Sequence, residues 1–240
     1  MSYEKWRSYF TANSSHFEGL DWNDPVHLTQ LEKARILSSI QQFQKGEQSE
    51  GKHLFAFAKK MGDPVYMDTI RLFIREEQKH ACVLGEFMDR EGIPRIREHW
   101  VDNIFRWLRK LAGLENTIFI LVIAEIIAKI YYKALYQATE SNLLKKICLQ
   151  ILQDEDYHIA FQAHTLRYFF KRKSRLSAMI SRIWHRFLMA GTVCVVWLYH
   201  RPVLKSGAFG FWKFYEETME VFSDLDILIK YNKTLQLAWI

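Results

Sequence analysis

Apolar side chains recur three or four residues apart over most of the chain, the period of helices that pack along one face. Leu31, Ile36, Ile40, Phe43, Leu54, Phe57 and Met61 mostly follow it. They predict a long first helix starting at Asp24-Pro25, with proline at the first helical position, and running to Met61. Gly62-Asp63-Pro64 ends it, because glycine suits the C-terminal cap and proline cannot continue the ladder. A second helix is expected over 65–90, closing at Glu91-Gly92 before Pro94. A Trp/Arg-rich connection, 99–109, follows with a short helix of its own. The third helix is expected over 115–138, Thr139-Glu140-Ser141-Asn142 is its turn, and the fourth runs from 143 to about 170. Two further helices near 176–200 and 207–222 and a short tail complete the chain. Residues 1–24 read as irregular or weakly helical, with Asn-Ser-Ser and Asp-Trp-Asn-Asp as breakers.

No strand alternation of convincing length appears, so the fold class is all-α: two helical hairpins joined by a longer crossover, with additional C-terminal helices. The expected division is an N-terminal extension, 1–24, a central bundle, 25–172, and helices packed on it, 173–240. Composition agrees. Ten Gly and four Pro in 240 residues are too few for many short strands and tight turns. An apolar content of 49% allows a sizeable core.

Charge changes the picture little. The net +6 comes from 33 basic and 27 acidic side chains, and much of the excess sits in Lys171-Arg172-Lys173 and Arg175. That run reads as a solvated helix end complementing the helix dipole, or as a site for an anionic surface or nucleic acid. No aromatic-interleaved basic repeat makes a strong nucleic-acid signal. Cys82, Cys148 and Cys194 are widely spaced and form no CxxC pair, which argues against a disulfide framework or a Cys-rich metal site. The start, MSYEKWRSYF, has neither an apolar core nor a cleavage pattern. The apolar run 187–199 is thirteen residues long, short of the roughly 18 that span a bilayer, and 118–128 is interrupted by Glu125. Both are expected to be buried core helices, with no transmembrane segment and a cytoplasmic location.

Candidate chemistry lies on the helices. The second contains Glu76-Glu77-Gln78-Lys79-His80 and the fourth Asp154-Glu155-Asp156-Tyr157-His158. Each is an acid followed by Glu-x-x-His. A separation of three stacks Glu and His one turn apart on one face, where a carboxylate and an imidazole can reach the same ion. One copy is a weak signal; two copies on separate helices are a stronger one. Glu125 stands alone in Ile-Leu-Val-Ile-Ala-Glu-Ile-Ile-Ala and needs a cation if buried, either a metal or Lys129 at i+4. The first helix offers Glu47 and Glu50. Glu47 lies 30 residues before Glu77, and Glu125 lies 30 before Glu155. The midpoints, 62 and 140, fall at the two turns, so each pair sits level across its own hairpin. Glu47 is therefore preferred, and Glu50 is left as an extra ligand, a proton relay or a solvated side chain.

The candidate set is Glu47, Glu77, His80, Glu125, Glu155 and His158. Carboxylates with imidazoles suit Fe(II) or Mn(II) rather than copper or a zinc thiolate site. Ligating imidazoles usually donate their other N–H to an acceptor. Glu76 and Asp154 stand in matching places to accept it, or are ordinary surface acids. Tyr132, seven residues after Glu125, is placed to donate a hydrogen bond or an electron, or simply packs in the core. His53, three residues after Glu50, reads as a chance match, and His164, His185 and His200 take no role.

These residues resemble the ferritin-like di-iron carboxylate superfamily, whose ligand order is E…ExxH…E…ExxH. The resemblance covers about 35–170. It implies a ferritin-like four-helix bundle holding two iron ions, with Mn/Fe or Mn/Mn as alternatives. It also implies Glu77 and Glu155 as bridging carboxylates, Glu47 and Glu125 as terminal ones, and His80 and His158 each on one metal. The activity implied is that of an oxidase or oxygenase using O₂ on an unknown small or apolar substrate, with an electron donor the sequence does not name. The alternatives are a ferroxidase or peroxidase handling iron or peroxide, and a degenerate helical interaction module around Trp100, Trp107 and Arg109. A homodimer is compatible with each. No four-cysteine rubredoxin-like segment is present, and Leu84 stands where radical-generating members carry Tyr. Trp184, Trp197, Phe211 and Trp212 in the C-terminal part either shape a substrate pocket or fill a core.

Overall fold

A computed structural model describes residues 2–48, 51–97 and 114–231. Glu50, the side chain of His53, and the connection carrying Trp100, Trp107 and Arg109 lie outside the described residues. What is described is helical, with no strand among the described residues. The helices are α1 (Tyr3–Ala12), α2 (Gln30–Glu47), α3 (Lys52–Met61), α4 (Pro64–Arg90), α5 (Leu114–Ala138), α6 (Asn142–Phe170), α7 (Arg175–Ser206) and α8 (Phe211–Tyr231).

Local chemistry sets most boundaries. Thr29 opens α2 with a capping box, its side chain accepting from the Glu32 N–H while the Glu32 carboxylate accepts from the Thr29 N–H. Asp63 caps α4, accepting from the N–H groups of Val65 and Tyr66, and Pro64 occupies the first turn. Ser141 and Ser174 cap α6 and α7 in the same way. Gly62, at φ +71°, closes α3 in the left-handed conformation that glycine adopts without strain.

Three expectations about helix boundaries need correction. The single first helix is two, α2 and α3, and it begins at Gln30 rather than at Pro25. The break falls where the apolar stripe has no member between Phe43 and Leu54, and Gly51 takes φ +60° there. The N-terminal segment forms a regular helix, α1, which buries Trp6 and Phe10. Helix α7 extends beyond His200 through Pro202 to Ser206, and α8 starts later and ends later than the sequence suggests.

Helices α5 and α6 pack side by side across the short turn 139–141, and α1 lies on α4. Helix α2 packs against α4 and α7, and α8 covers α6. One continuous core runs from Trp6 to Ile229. The stretch 118–128 of α5 is almost wholly buried. The stretch 187–199 is not, since Phe187, Val195, Leu198 and Tyr199 are exposed. Burial of that run was the sequence expectation, and the structure overturns it. Among the described residues α7 is also the one helix long and apolar enough to cross a membrane.

Candidate metal centre

Four helices each bring one glutamate to a common interior point. Glu47 is the last residue of α2, and Gln44, one turn before it, donates to the Ala81 carbonyl at 3.0 Å and pins that helix to α4. Glu77 and His80 come from one face of α4, Glu125 from the apolar middle of α5, and Glu155 and His158 from one face of α6. All are buried except Glu77, which is half-buried. Ligand-capable atoms of Glu47, Glu77, His80 and Glu155 lie within 4.8 Å of one another, and so do those of Glu77, Glu125, Glu155 and His158. Glu77 and Glu155 belong to both groups.

The imidazoles are held from behind. His80 Nε2 lies 2.9 Å from Asp154 Oδ2, and His158 Nε2 lies 2.9 Å from Glu76 Oε2. The contacts cross the interior, the histidine of α4 meeting an acid of α6 and the reverse. Each Nδ1 therefore turns inward. His158 Nδ1 lies 2.9 Å from Glu77, 3.5 Å from Glu125 and 3.7 Å from Glu155. Lys129, the cation proposed for Glu125 from sequence, bonds Asp156 instead. Tyr132 is fully buried, and its hydroxyl donates to Glu47 Oε1 at 2.9 Å.

Crowding four carboxylates out of water perturbs their titration. Burial and then the neighbouring Glu77 push Glu47 well above its ordinary 4.5, and burial and then Glu125 do the same to Glu155. Burial opposes a charge on His158, but the surrounding carboxylates outweigh it and raise its imidazole well above 6.5. Burial also opposes a charge on Asp154 and on Glu125. The imidazoles of His16 and His80 outweigh it at Asp154, and His158 does so at Glu125, so both are lowered.

Several inward atoms have no directed hydrogen bond: Glu77 Oε1, both oxygens of Glu155, His80 Nδ1 and His158 Nδ1. Buried polar atoms are nearly always satisfied. Three of these atoms, both oxygens of Glu155 and His80 Nδ1, are orphans, and Glu77 Oε1 and His158 Nδ1 meet each other at 2.9 Å without alignment. Facing one interior point, they fit a bound cation, and oxygen with imidazole donors suit a divalent metal ion. The chain thus has a buried acid–histidine cluster able to hold a metal ion, within an all-helical fold.

Sequence reading missed Asn13 and His16. The Asn13 side-chain amide donates to Glu76 Oε1 at 2.6 Å and to Asp154 Oδ1 at 2.8 Å, so one NH₂ ties together the two acids behind the histidines. His16 is buried beside them, 3.4 Å from Asp154. The available signal was the run Tyr3, Trp6, Phe10, Asn13, Phe17, spaced three or four apart, which sets Asn13 on the buried face of an N-terminal helix. Asn13→Leu should lower stability by about 2–3 kcal/mol, read by urea unfolding, because two buried carboxylates each lose a donor. An unchanged midpoint would show that the clamp carries no energy. His164, His185 and His200 sit in packing contacts: His164 edge-on to Tyr3, His185 stacked on Phe119 and His200 bonded to Ser39.

No protein-family model, no curated protein and no solved structure matches this chain, so the functional reading rests on the geometry of the cluster.

Proposed function

We propose that this chain is a di-iron carboxylate protein of ferritin-like topology, acting as an O₂-dependent oxidase or oxygenase on a small apolar substrate. The observation that carries the reading is the pair of overlapping ligand groups, which share Glu77 and Glu155 and otherwise divide four donors evenly. Glu47 and His80 would complete one site and Glu125 and His158 the other. Two metal ions held by these residues would supply two-electron chemistry with O₂.

The chain's own groups prepare that site. Asp154 and Glu76 accept the Nε2–H of His80 and His158, which turns each Nδ1 inward, where a metal would displace any proton it carries. Tyr132 holds a proton at Glu47 Oε1. Ile123, Ile126, Ile127 and Ile151 line the helices about the acids and are buried; they exclude water and strengthen each electrostatic contact.

Anaerobic reconstitution with Fe(II) tests the proposal. About two ions per chain should bind, and O₂ uptake should follow, stimulated by apolar substrates in the presence of a reductant. Rapid Fe(II) oxidation with accumulating mineral and no substrate turnover would favour iron handling instead. No uptake of Fe(II) or Mn(II) would sink both.

A further inference from the structure

Among the described residues, no helix packs on the outward face of α7. Its inward face is committed, with His185, Met189, Val193, Val196, His200, Val203 and Leu204 buried. Leu176, Ile180, Ile183, Phe187 and Leu198 follow one another on the opposite face at helical spacing and are exposed, Phe187 at 71% and Leu198 at 66%. The exposed apolar arc is broader than that line. Met179, Trp184 and Val195 widen it, and Trp212 of α8, 70% exposed, stands beyond the end of the helix. From Leu176 to Leu198 the stripe is about 33 Å long at 1.5 Å per residue. Soluble surfaces rarely leave so large an apolar face uncovered.

Charge identifies what covers it. No Asp or Glu occurs between Asp156 and Glu216, a stretch that contains ten Lys and Arg. Subtracting those ten from the total of 33 leaves 23 against 27 acidic side chains, so the rest of the chain carries −4. The cations sit at the ends and edges of the apolar face. Lys171 and Arg175 are exposed at one end, Arg201 and Lys205 at the other, and Arg186 on the flank. Beside the first end, Tyr3, His164, Arg167, Tyr168, Lys171 and Arg172 line a shallow cavity of about 520 Å³, a basic basin of headgroup size.

We propose that the outer face of α7 docks on an anionic lipid surface. The helix lies in the membrane plane, its Leu, Ile, Phe and Trp side chains enter the acyl boundary, and its flanking cations meet the headgroups. It lies on the bilayer rather than across it, because spanning would strip its buried face from α2 and α5. A second copy of the chain is the poorer occupant. With cations at both ends of the stripe, isologous pairing opposes like charges in either orientation. The exposed arc is also wider than the narrow seam of a coiled coil.

Flotation of the full chain, loaded with metal or free of it, against phosphatidylglycerol-rich vesicles and against phosphatidylcholine vesicles tests this. The wild type should float with the former and much less with the latter, with a blue shift in Trp fluorescence. Trp184→Ser, Phe187→Ser and Leu198→Ser together should abolish flotation while the circular dichroism of the helices is kept. Lys171→Gln and Arg175→Gln should each weaken binding about fivefold. A wild type that stays in solution with phosphatidylglycerol-rich vesicles would overturn the proposal. If sedimentation shows a dimer that the triple variant splits, with no flotation, the face belongs to a second copy.

Discussion

Glu155→Gln is expected to abolish binding of both metal ions, while Glu125→Gln should weaken one site and spare the other. The difference follows from membership, since Glu155 lies in both ligand groups and Glu125 in one. Metal content by mass spectrometry after anaerobic loading reads it directly, from about two ions per chain towards zero for Glu155→Gln and towards one for Glu125→Gln. The same variants distinguish a metal cluster from a structural one. Glu155 is fully buried, neither of its oxygens has a directed hydrogen bond, and burial and then Glu125 push its carboxyl well above its ordinary 4.5. Replacing that acid by an amide of the same shape removes a carboxyl whose charged form burial and Glu125 disfavour, so the metal-free fold is as stable as before, or steadier. A Glu155→Gln chain that unfolds more easily than wild type when both lack metal would show that the carboxylate serves packing. Equal metal content in the two variants would break the division into shared and unshared donors.

How far the sequence reveals this arrangement depends on whether the signal is local. Glu77 with His80 and Glu155 with His158 are legible because three residues make nearly one helical turn, a geometry that no tertiary contact alters. Glu125 stands out because an acid amid isoleucines must be either paired or exposed. The break at Gly51 was harder to see. The apolar stripe falls silent between Phe43 and Leu54, but silence within a helical pattern looks the same whether the helix continues or stops. Asn13 was missed for a different reason: its partners are 63 and 141 residues away, and nothing local marks an asparagine that clamps two distant acids. The outer face of α7 was misread because hydrophobicity tells that a side chain avoids water without telling what replaces the water. Val193 and Leu198 look alike in sequence. One faces the core and the other solvent.

Chelation of the metal-loaded protein should lower its melting temperature by about 10–20 °C at pH 8, and far less at pH 5. Two sites, each saturated at about a hundredfold above its dissociation constant, contribute together about 5 kcal/mol, and about 2–4 °C accompanies each kcal/mol in a chain of this size. The pH dependence comes from the protons that metal must displace. Glu47 and Glu155 titrate well above 4.5 in the fold, and His158 well above 6.5. Above those ordinary values the unfolded chain has released protons that the metal-free fold still holds. Metal-free stability is therefore full below them and is lost as pH rises through the folded values. Asp154 and Glu125 are lowered and act in the opposite sense, with stability lost as pH falls, but their window lies below 3.8 and 4.5 respectively. Burial lowers His164 to about 4 and His185 to about 3, so between pH 5 and 6.5 they oppose the raised groups. They lie outside the cluster, act alike in loaded and stripped protein, and cancel from the gap between the two. Rising pH through the raised groups removes the protons that stabilise the metal-free fold and compete with metal, and this one linkage widens the gap between loaded and stripped protein. Calorimetric scans of Mn(II)-loaded and chelated samples across that range check it. A gap that stays constant with pH, or closes towards pH 8, would mean that the protons held by Glu47, Glu155 and His158 are not the ones a metal displaces.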